Sequence, residues 1–332
     1  MGGENMDKRK KVSKRNYFRT KHPGIEVKNI KEQSILNLMT FEGHACAFGA
    51  GTIINAIATW KGAAFGVDLK TFAEVSLFEG KSGIKGSIEG TPEGDTRLIE
   101  HCVELVLERF GLELEGTIIT GSEIPLAGGL KSSSAAANAS VLATLRAVGE
   151  ILPPLEIVKL GVRAAKEVGV TVTGAFDDAC ASFLGGIVVT DNRKMELVRR
   201  EEADSKVLIF APSKKAFSAD TNVKRSRLIA PYVEMAYELA LKGEYERAMT
   251  LNGFLYCGAL GFDTEYMLKA LECGVTGVSL SGTGPSYAAL VKAEQVKELK
   301  SAWESCGMEG KVIETSINNR DAISFKGRGS LE

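Results

Sequence analysis

The chain has 332 residues, of which 44% are hydrophobic and 25% are charged, a composition typical of a globular protein large enough for two domains. Its formal net charge is −1, so the chain as a whole is not a strongly basic nucleic-acid binder. No apolar run reaches the roughly 18–20 residues of a membrane span, and the basic start lacks the apolar core of a secretory signal. We therefore expect neither a nucleic-acid nor a membrane partner.

The first 38 residues differ in charge from the rest, with ten Lys or Arg against four Asp or Glu. A basic tail of this kind is compatible with contact to nucleic acid or to an acidic surface. Residues 8–21 offer almost no apolar side chains to bury, however, which favours a disordered extension. Good strand sequence follows Met39 at once, so we expect the folded chain to begin there.

The six cysteines are scattered along the chain without a Cys-x-x-Cys pair, and only three histidines accompany them. This pattern argues against a zinc site and against a disulfide framework. Reduced, mostly buried thiols are typical of cytoplasmic proteins, so we predict a cytoplasmic location.

From residue 40 onward, β-branched and aromatic residues form extended segments separated by small-residue turns. We predict strands over 41–48, 52–60, 63–68 and 73–78, with turns at 49–51, 81–83 and 90–94. Apolar residues at helical spacing predict a helix over 96–110, which Gly111 ends. A β-branched run over 116–121 predicts the next strand.

The remainder of the chain mixes helices and strands. Helices are predicted over 135–148, from Pro153 or Pro154 to near Gly169, and over 231–241, 245–260, 264–272 and 294–306. Strands are predicted over 187–190, 207–211, 275–279, 287–292 and 311–315. A loop over 170–176 leads into a segment at 177–184. Because strands and helices do not alternate strictly, the pattern favours an α+β fold over a doubly wound sheet.

The loop before the alanine-rich helix has the residues of a phosphate-binding site. Gly128 and Gly129 allow the backbone to approach a ligand, and Ser132, Ser133 and Ser134 supply hydroxyls for phosphate or metal. Because the loop leads directly into a helix N-terminus, unpaired N–H groups and the positive end of the helix dipole favour an anion. A tight turn before a capped helix also explains this stretch, so the loop alone leaves both interpretations open.

The loop is not a Walker A motif, and the His-Arg-Asp and Asp-Phe-Gly motifs of protein kinases are absent as well. It resembles the Pro-x3-Gly-Leu-x-Ser-Ser-x-Ala loop of the GHMP kinases, among them galactokinase, homoserine kinase, mevalonate kinase and phosphomevalonate kinase. The residues that fill this pattern are Pro125, Gly129, Leu130, Ser132, Ser133 and Ala135. Lys131 departs from it, since a small residue usually precedes the serines; it either approaches the phosphates or points to solvent.

The resemblance implies that the whole loop binds the phosphates of ATP. The residues that it assigns to ATP are Pro125, Leu126, Ala127, Gly128, Gly129, Leu130, Lys131, Ser132, Ser133, Ser134 and Ala135. A second glycine-rich turn, at 281–286, lies between two predicted strands. It is either a plain hairpin or the third GHMP motif, which packs against the active site. Two such motifs in the family's order make the resemblance specific.

Phosphoryl transfer to an alcohol needs charge neutralisation at the phosphates and a group that orients or deprotonates the hydroxyl. In mevalonate-kinase-like members, a metal-binding Glu precedes the catalytic Asp by eleven positions, and a Gly-Gly follows that Asp after seven. Glu167, Asp178 and Gly185 have both spacings. The resemblance therefore implies that Asp178 is catalytic and that Glu167 and Ser133 bind Mg²⁺, which prefers oxygen ligands. The alternatives are a solvated Glu167 and helix capping by Asp177 or Asp178.

A lysine near the N-terminal strands often assists the catalytic Asp in this family. Residues 49–56 contain no lysine, so the role has no direct match in this chain. Lys61 is the nearest lysine and the second catalytic residue that we predict, although a single strand lysine is more often solvated.

Three segments, at 51–62, 124–138 and 173–178, resemble the archaeal shikimate kinases, which are GHMP proteins. The implied reaction is ATP + shikimate → ADP + shikimate 3-phosphate. A pocket for this polyol carboxylate needs a cation and several hydroxyl partners. The candidate substrate residues are Asn55, Thr59, Thr173, Asp177, Ser218, Lys224, Arg225, Arg227, Gly282 and Thr283.

The resemblance implies two α+β lobes, an S5-like N-terminal lobe and a ferredoxin-like C-terminal lobe, with ATP and acceptor between them. We place the lobes at 39–200 and 201–332, after the extension at 1–38; the oligomeric state stays open. Homoserine kinase or another small-alcohol GHMP kinase is the alternative within the family, because Asp177 is available for an ammonium group. A GHMP-fold binding or regulatory protein is another, although it need not keep Asp178, Glu167 and Ser133 together.

Overall fold

Six strands in the first part of the chain form one sheet around a long central strand. The computed structural model describes residues 40–124, 131–171, 173–213 and 223–325. The strands of this sheet are β1 (Phe41–Ile54), β2 (Lys61–Glu79), β3 (Ile84–Ile88), β4 (Leu114–Ser122), β5 (Ile187–Asp191) and β6 (Glu196–Glu201). β1 pairs antiparallel along one edge of β2, whereas β4 and β5 share its other edge, β4 at 71–79 and β5 at 61–65. β3 lies parallel to β4, and β6 pairs with β5.

Four helices pack on this sheet in one hydrophobic cluster. They are α1 (Arg97–Phe110), α2 (Ser132–Val148), α3 (Pro154–Glu167) and α4 (Phe176–Leu184). α2 approaches β1 closely, because small side chains line their contact. At Gly43 a Cβ would lie 2.1 Å from the carbonyl oxygen of Ala143, so only glycine permits this packing. The helix that begins with the predicted phosphate-binding serines therefore lies directly against the sheet.

The second part of the chain forms an antiparallel sheet in the order β10-β7-β9-β8. Its strands are β7 (Lys206–Pro212), β8 (Gly277–Leu280), β9 (Tyr287–Val291) and β10 (Gly310–Ser316). Its helices are α5 (Val223–Leu228), α6 (Ala230–Leu241), α7 (Tyr245–Leu260), α8 (Glu265–Glu272) and α9 (Val296–Glu304). One hydrophobic cluster contains Ile53 and Phe65 from the first sheet and Leu208 and Tyr287 from the second, so the two sheets share a core.

The predicted α+β class is confirmed, and the longer predicted helices agree with the structure to within a few residues. The predicted turn at 49–51 and the break between 68 and 73 are wrong, because β1 and β2 run through them. Gly51 serves packing rather than turning, since a Cβ there would lie 2.2 Å from the ring of Phe65. The chain reverses instead at 55–60. β3, β6 and α5 were not predicted.

The predicted lobe boundary at 200/201 stays a prediction, and the extension at 1–38 lies outside the described residues. The first sheet ends at Glu201 and the second begins at Lys206. Within the described ranges, no helix has both the length and the apolar character needed to cross a bilayer.

Candidate active site

A cleft forms where four segments meet: the end of β1 with the turn after it, the N-terminus of α2, the connection from α3 into α4, and the turn between β8 and β9. The described residues that line it are Thr52, Asn55, Ala56, Ile57, Lys131, Thr171, Thr173, Ala175, Asp177, Asp178, Gly282 and Thr283. The turn at 281–286 is thus a hairpin whose tip also reaches the site.

Asp178 forms an ion pair at the centre of this cleft. Its Oδ2 lies 2.8 Å from Nζ of Lys131, and the two side chains are only 6% and 16% exposed. A charge-assisted hydrogen bond of this length in a dry environment is among the stronger polar contacts in proteins. The other oxygen, Oδ1, is buried and has no hydrogen-bond partner among the described residues. One oxygen is therefore held by Lys131, and the other is buried without a hydrogen-bond partner among the described residues.

Asp177 is buried beside it and points towards the sheet. Its Oδ1 accepts a hydrogen bond from Nδ2 of Asn192 at 2.8 Å, and Oδ1 of Asn192 accepts one from Thr190 at 2.7 Å. Burial, and then the nearby Asp178 carboxylate, raise the pKa of Asp177. Gly62 backs this carboxyl so closely that a Cβ there would lie 2.4 Å from Oδ2.

Two helices present their N-termini to the cleft through residues in the left-handed region. Lys131 precedes α2 with φ 65°, and Ala175 precedes α4 with φ 48°. For residues other than glycine this conformation costs on the order of 1–3 kcal/mol and is concentrated at functional sites. In the described part of the chain no side chain caps α2, and its first turn contains no acidic residue. That N-terminus is therefore suited to an anion.

Asn55 ties the end of β1 to the turn between β8 and β9. Its Nδ2 donates to the carbonyl oxygen of Gly282 at 2.7 Å, and its backbone N–H donates to Oδ1 of Asn252 at 3.0 Å. The N–H of Gly282 in turn donates to Oγ1 of Thr52 at 2.9 Å. The polar side chains of Thr52, Asn55 and Asn252 are all buried. Their hydrogen bonds therefore hold the turn at 281–286 in place against the cleft.

Family models match two stretches of the chain: GHMP kinases N terminal domain over residues 97–186 and GHMP kinases C terminal over residues 236–308. A curated relative from Methanosarcina mazei, named shikimate kinase, is 87% identical over 292 residues, which are 88% of this chain and 100% of the relative. The chain belongs to the GHMP kinases. A relative from Methanococcoides burtonii, also named shikimate kinase, is 67% identical and covers 85% of this chain and 98% of its own.

Solved structures of GHMP kinases have the same fold. Homoserine kinase from Cytophaga hutchinsonii superposes with a TM-score of 0.68 at 19% identity, covering 88% of this chain and 98% of its own. Mevalonate kinase from Methanococcus jannaschii superposes with a TM-score of 0.64 at 18% identity, and the match covers 86% of this chain and 100% of the mevalonate kinase chain. At these identities the likeness shows the fold alone. The predicted family and its two-lobed fold class are confirmed.

The structure of this GHMP kinase brings together seven of the residues predicted from sequence. Those that line the cleft are Asn55, Lys131, Thr173, Asp177, Asp178, Gly282 and Thr283. Ser132, Ser133 and Ser134 form the first turn of α2, followed by the buried Ala135. The remaining loop residues, Pro125, Leu126, Ala127, Gly128, Gly129 and Leu130, lie outside the described residues, as does Ser218.

Lys61 is not among the described residues that line the cleft. Its Nζ pairs with Oε2 of Glu234 on α6 at 2.7 Å, and both side chains are more than a third exposed. Lys131 is the lysine that contacts Asp178. The two interpretations drawn from sequence, in which Lys131 approaches the phosphates or points to solvent, did not include this contact. The candidate Arg225 is exposed on α5 and donates to the carbonyl oxygen of Gly258 at 3.2 Å.

Glu167 is not brought to Asp178 either. Its Oε2 pairs with Nε2 of His101 at 2.5 Å, its Oε1 accepts from Arg163 at 2.8 Å, and the side chain is 42% exposed. The hydrogen bond from His101, and then that from Arg163, lower the pKa of Glu167. Glu167 is the last residue of α3 and lies on the face of that helix that packs near α1. Its side chain therefore points towards His101 of α1. The described residues contain no cluster of three His, Cys, Asp or Glu able to hold a metal.

Sequence reasoning missed several residues that shape the site. Thr52 and Thr171 line the cleft, and Asn192, Asn252 and Tyr256 support it from behind. They belong to no motif, because each meets the site through the tertiary fold. The only available signal was a polar residue inside an otherwise apolar segment.

Proposed function

We propose that this GHMP kinase transfers the γ-phosphoryl group of ATP to a hydroxyl of shikimate, which gives ADP and shikimate 3-phosphate. The observation that carries the proposal is the 87% identity to a shikimate kinase over that relative's whole length. A second shikimate kinase at 67% identity supports it. Two features of the cleft support the proposal: a helix N-terminus suited to an anion, and a carboxylate with one unpartnered oxygen among the described residues.

The phosphates of ATP belong at the N-terminus of α2. Its first turn offers backbone N–H groups together with the hydroxyls of Ser132, Ser133 and Ser134, and it carries no competing acidic residue. We assign the loop from Pro125 to Ala135 to this role as a whole, as its sequence pattern predicts.

Asp178 is the group that receives the acceptor's proton. The hydroxyl oxygen of shikimate forms a bond to the γ-phosphorus while the bond from that phosphorus to the ADP oxygen breaks, and the hydroxyl proton passes to Oδ1 of Asp178. That oxygen has no hydrogen-bond partner among the described residues, which supports its role as the acceptor of this proton. Lys131 keeps the other oxygen occupied.

Magnesium ion supplies charge neutralisation at the phosphates of such kinases. Ser133 fits as a ligand, because it lies in the first turn of the helix assigned to those phosphates. Glu167 does not fit, since both of its oxygens are engaged by His101 and Arg163 on the surface. Our proposal therefore retains Ser133 alone of the two predicted ligands.

Homoserine is a poorer acceptor for this cleft than shikimate. Its ammonium group needs a carboxylate partner, but Asp177 is engaged by Asn192, and the unpartnered oxygen of Asp178 is assigned to the acceptor hydroxyl. The candidates for the shikimate carboxylate, Lys224, Arg225 and Arg227, stay predictions. We assign the reaction to the cytoplasm, because all six cysteines are free thiols.

The test is ADP release by the purified protein with ATP and Mg²⁺, in the presence of shikimate or of homoserine. We expect ADP release that depends on shikimate, with a product heavier by one phosphoryl group in mass spectrometry. Turnover with homoserine alone would contradict the acceptor and leave the kinase assignment standing. ATP binding without turnover on either acceptor would favour a different alcohol or a regulatory role.

A further inference from the structure

The geometry points to a role for Lys131 that neither its position in the phosphate loop nor the family models assign. We infer that Lys131 is the positioning residue for Asp178: it holds Oδ2, so that Oδ1 alone faces the acceptor hydroxyl. This inference rests on the proposed function, because it deepens the account of the same site.

The first support is the pair itself. Nζ of Lys131 lies 2.8 Å from Oδ2 of Asp178, and both side chains are largely buried. Lys131 is also the sole Lys or Arg among the described residues that line the cleft. The lysine predicted from sequence for this role, Lys61, is engaged by Glu234 at 2.7 Å. The carboxylate therefore has one cationic partner in the described cleft, and that partner comes from the phosphate loop.

The second support is the backbone. Lys131 is in the left-handed region, at φ 65° and ψ 34°, immediately before the first turn of α2. Glycine adopts this conformation without penalty, whereas lysine does not. A lysine here supplies an ammonium group at the junction of two sites: its backbone begins the helix assigned to phosphate, and its side chain crosses to α4. Its single side chain thus links the N-terminus of α2 to Asp178 on α4.

The third support is the charge balance. Asp177 and Asp178 are adjacent and both are buried, so two carboxylates share one poorly solvated site. Asn192, which is neutral, is the partner of Asp177. Lys131 pairs directly with Asp178 and is the sole Lys or Arg among the described residues that line the cleft, so the positive charge of this site is placed beside Asp178. The proton released by the acceptor hydroxyl then goes to Oδ1, because Oδ2 already accepts from the lysine.

The test compares three substitutions at Lys131 in the full-length enzyme. Lys131→Met removes the charge and keeps the length, Lys131→Gly removes the side chain and suits the left-handed backbone, and Lys131→Arg keeps the charge. Lys269→Met is the matched control, because Lys269 pairs with Glu272 at 2.7 Å on the surface of α8. For each variant we would measure kcat, KM for the acceptor, Kd for ATP without acceptor, and Tm.

We expect the Met and Gly variants to lose about 100-fold in kcat, as for removal of a group that assists proton transfer. KM for the acceptor and Kd for ATP should change less than about three-fold, because the side chain of Lys131 is engaged by Asp178 and only its backbone belongs to the phosphate-binding stretch. The Lys131→Arg variant, which keeps the charge, should have a kcat about ten-fold higher than the Met and Gly variants. In the double variant with Asp178→Asn, the loss should equal that of Asp178→Asn alone, because both changes act through one group. The control should match wild type.

Three results would overturn the inference: a kcat within about three-fold of wild type in both the Met and Gly variants, a rise in Kd for ATP with kcat retained, or an additive loss in the double variant. Failure of the proposed function is a separate result, seen in the wild-type enzyme as no turnover of shikimate. If the wild type phosphorylates another alcohol, the ratio of variant to wild type is measured on that alcohol and decides the role of Lys131.

Discussion

Two lysine–carboxylate pairs in this chain have nearly the same length and very different surroundings. Lys131 and Asp178 lie 2.8 Å apart with side chains 16% and 6% exposed, whereas Lys61 and Glu234 lie 2.7 Å apart with side chains 37% and 40% exposed. Water screens the second pair, and exposed pairs of this kind contribute only about 0–1 kcal/mol to stability. In the buried pair, desolvation makes each charge depend on its partner. Burial, rather than distance, separates the pair in the cleft from the pair on the surface.

The two carboxylates predicted from a single family spacing differ in the same way. Asp178 is buried in the cleft and keeps one unpartnered oxygen among the described residues. Glu167 is exposed, and both of its oxygens are engaged by His101 and Arg163. A free acceptor atom in a dry site can do chemistry on a substrate, whereas a saturated surface carboxylate mainly joins helices. The following predictions test this contrast.

The largest effect is expected for Asp178→Asn. The amide keeps the size of the side chain but cannot accept the hydroxyl proton, so kcat should fall by about 10³-fold or more while ATP affinity is retained. Steady-state kinetics and ATP titration would measure both. Glu234→Gln, which alters the exposed pair, is the control and should leave kcat unchanged. A variant at Asp178 with nearly normal kcat would remove the catalytic assignment.

Gly62→Ala tests how tightly Asp177 is packed. The new Cβ would lie 2.4 Å from Oδ2 of Asp177, so the carboxyl must move or the strand must shift. Overpacking of this kind costs about 1–3 kcal/mol in the free energy of unfolding, measurable by urea denaturation. Gly258→Ala is the control, since a Cβ there meets nothing within 4 Å on helix α7. Equal stability of the two variants would contradict the packing argument.

Asp177→Asn should change the pH dependence of stability. Burial, and then Asp178, raise the pKa of Asp177 in the native state, so the native state holds this proton more tightly than the unfolded chain does. The stability that Asp177 contributes is therefore fully present below its ordinary pKa of 3.8 and is lost as pH rises towards the higher native value.

The amide of the Asp177→Asn variant can still accept from Asn192 but does not ionise. We expect its free energy of unfolding, relative to wild type, to increase between pH 5 and pH 8. Denaturation curves at the two pH values measure this difference. A difference that is constant or decreases with pH would show that Asp177 ionises as readily in the native state as in the unfolded chain.

The smallest effect is expected for Glu167→Gln. If Glu167 only pairs with His101 and Arg163, kcat and the Mg²⁺ concentration for half-maximal activity should both stay within about two-fold of wild type. Ser133→Ala is the informative partner variant, because Ser133 lies in the first turn of α2, and it should require more Mg²⁺. A ten-fold higher Mg²⁺ requirement in Glu167→Gln would instead restore the prediction made from sequence spacing.

Much of the fold was predictable because its signals are local. The helical periodicity at 96–110 and the proline and glycine around α3 predicted helices that the structure contains. The glycines at 49–51 misled the strand assignment, since Gly51 accommodates the ring of Phe65 rather than a turn. A glycine permits either conformation, and only the neighbouring strand decides which one it adopts.

The sequence by itself determined the family and the α+β class, and it predicted the phosphate-loop role and Asp178 as a site residue, because these depend on contiguous residues or on spacing within one segment. Tertiary structure alone decided that Lys131 rather than Lys61 reaches Asp178, that Glu167 lies on the surface, and that Asn192 holds Asp177. The physical reason is that the direction of a side chain follows the phase of its helix and the packing of distant elements. Residue spacing along the chain specifies neither the helix phase relative to the rest of the fold nor the packing of distant elements.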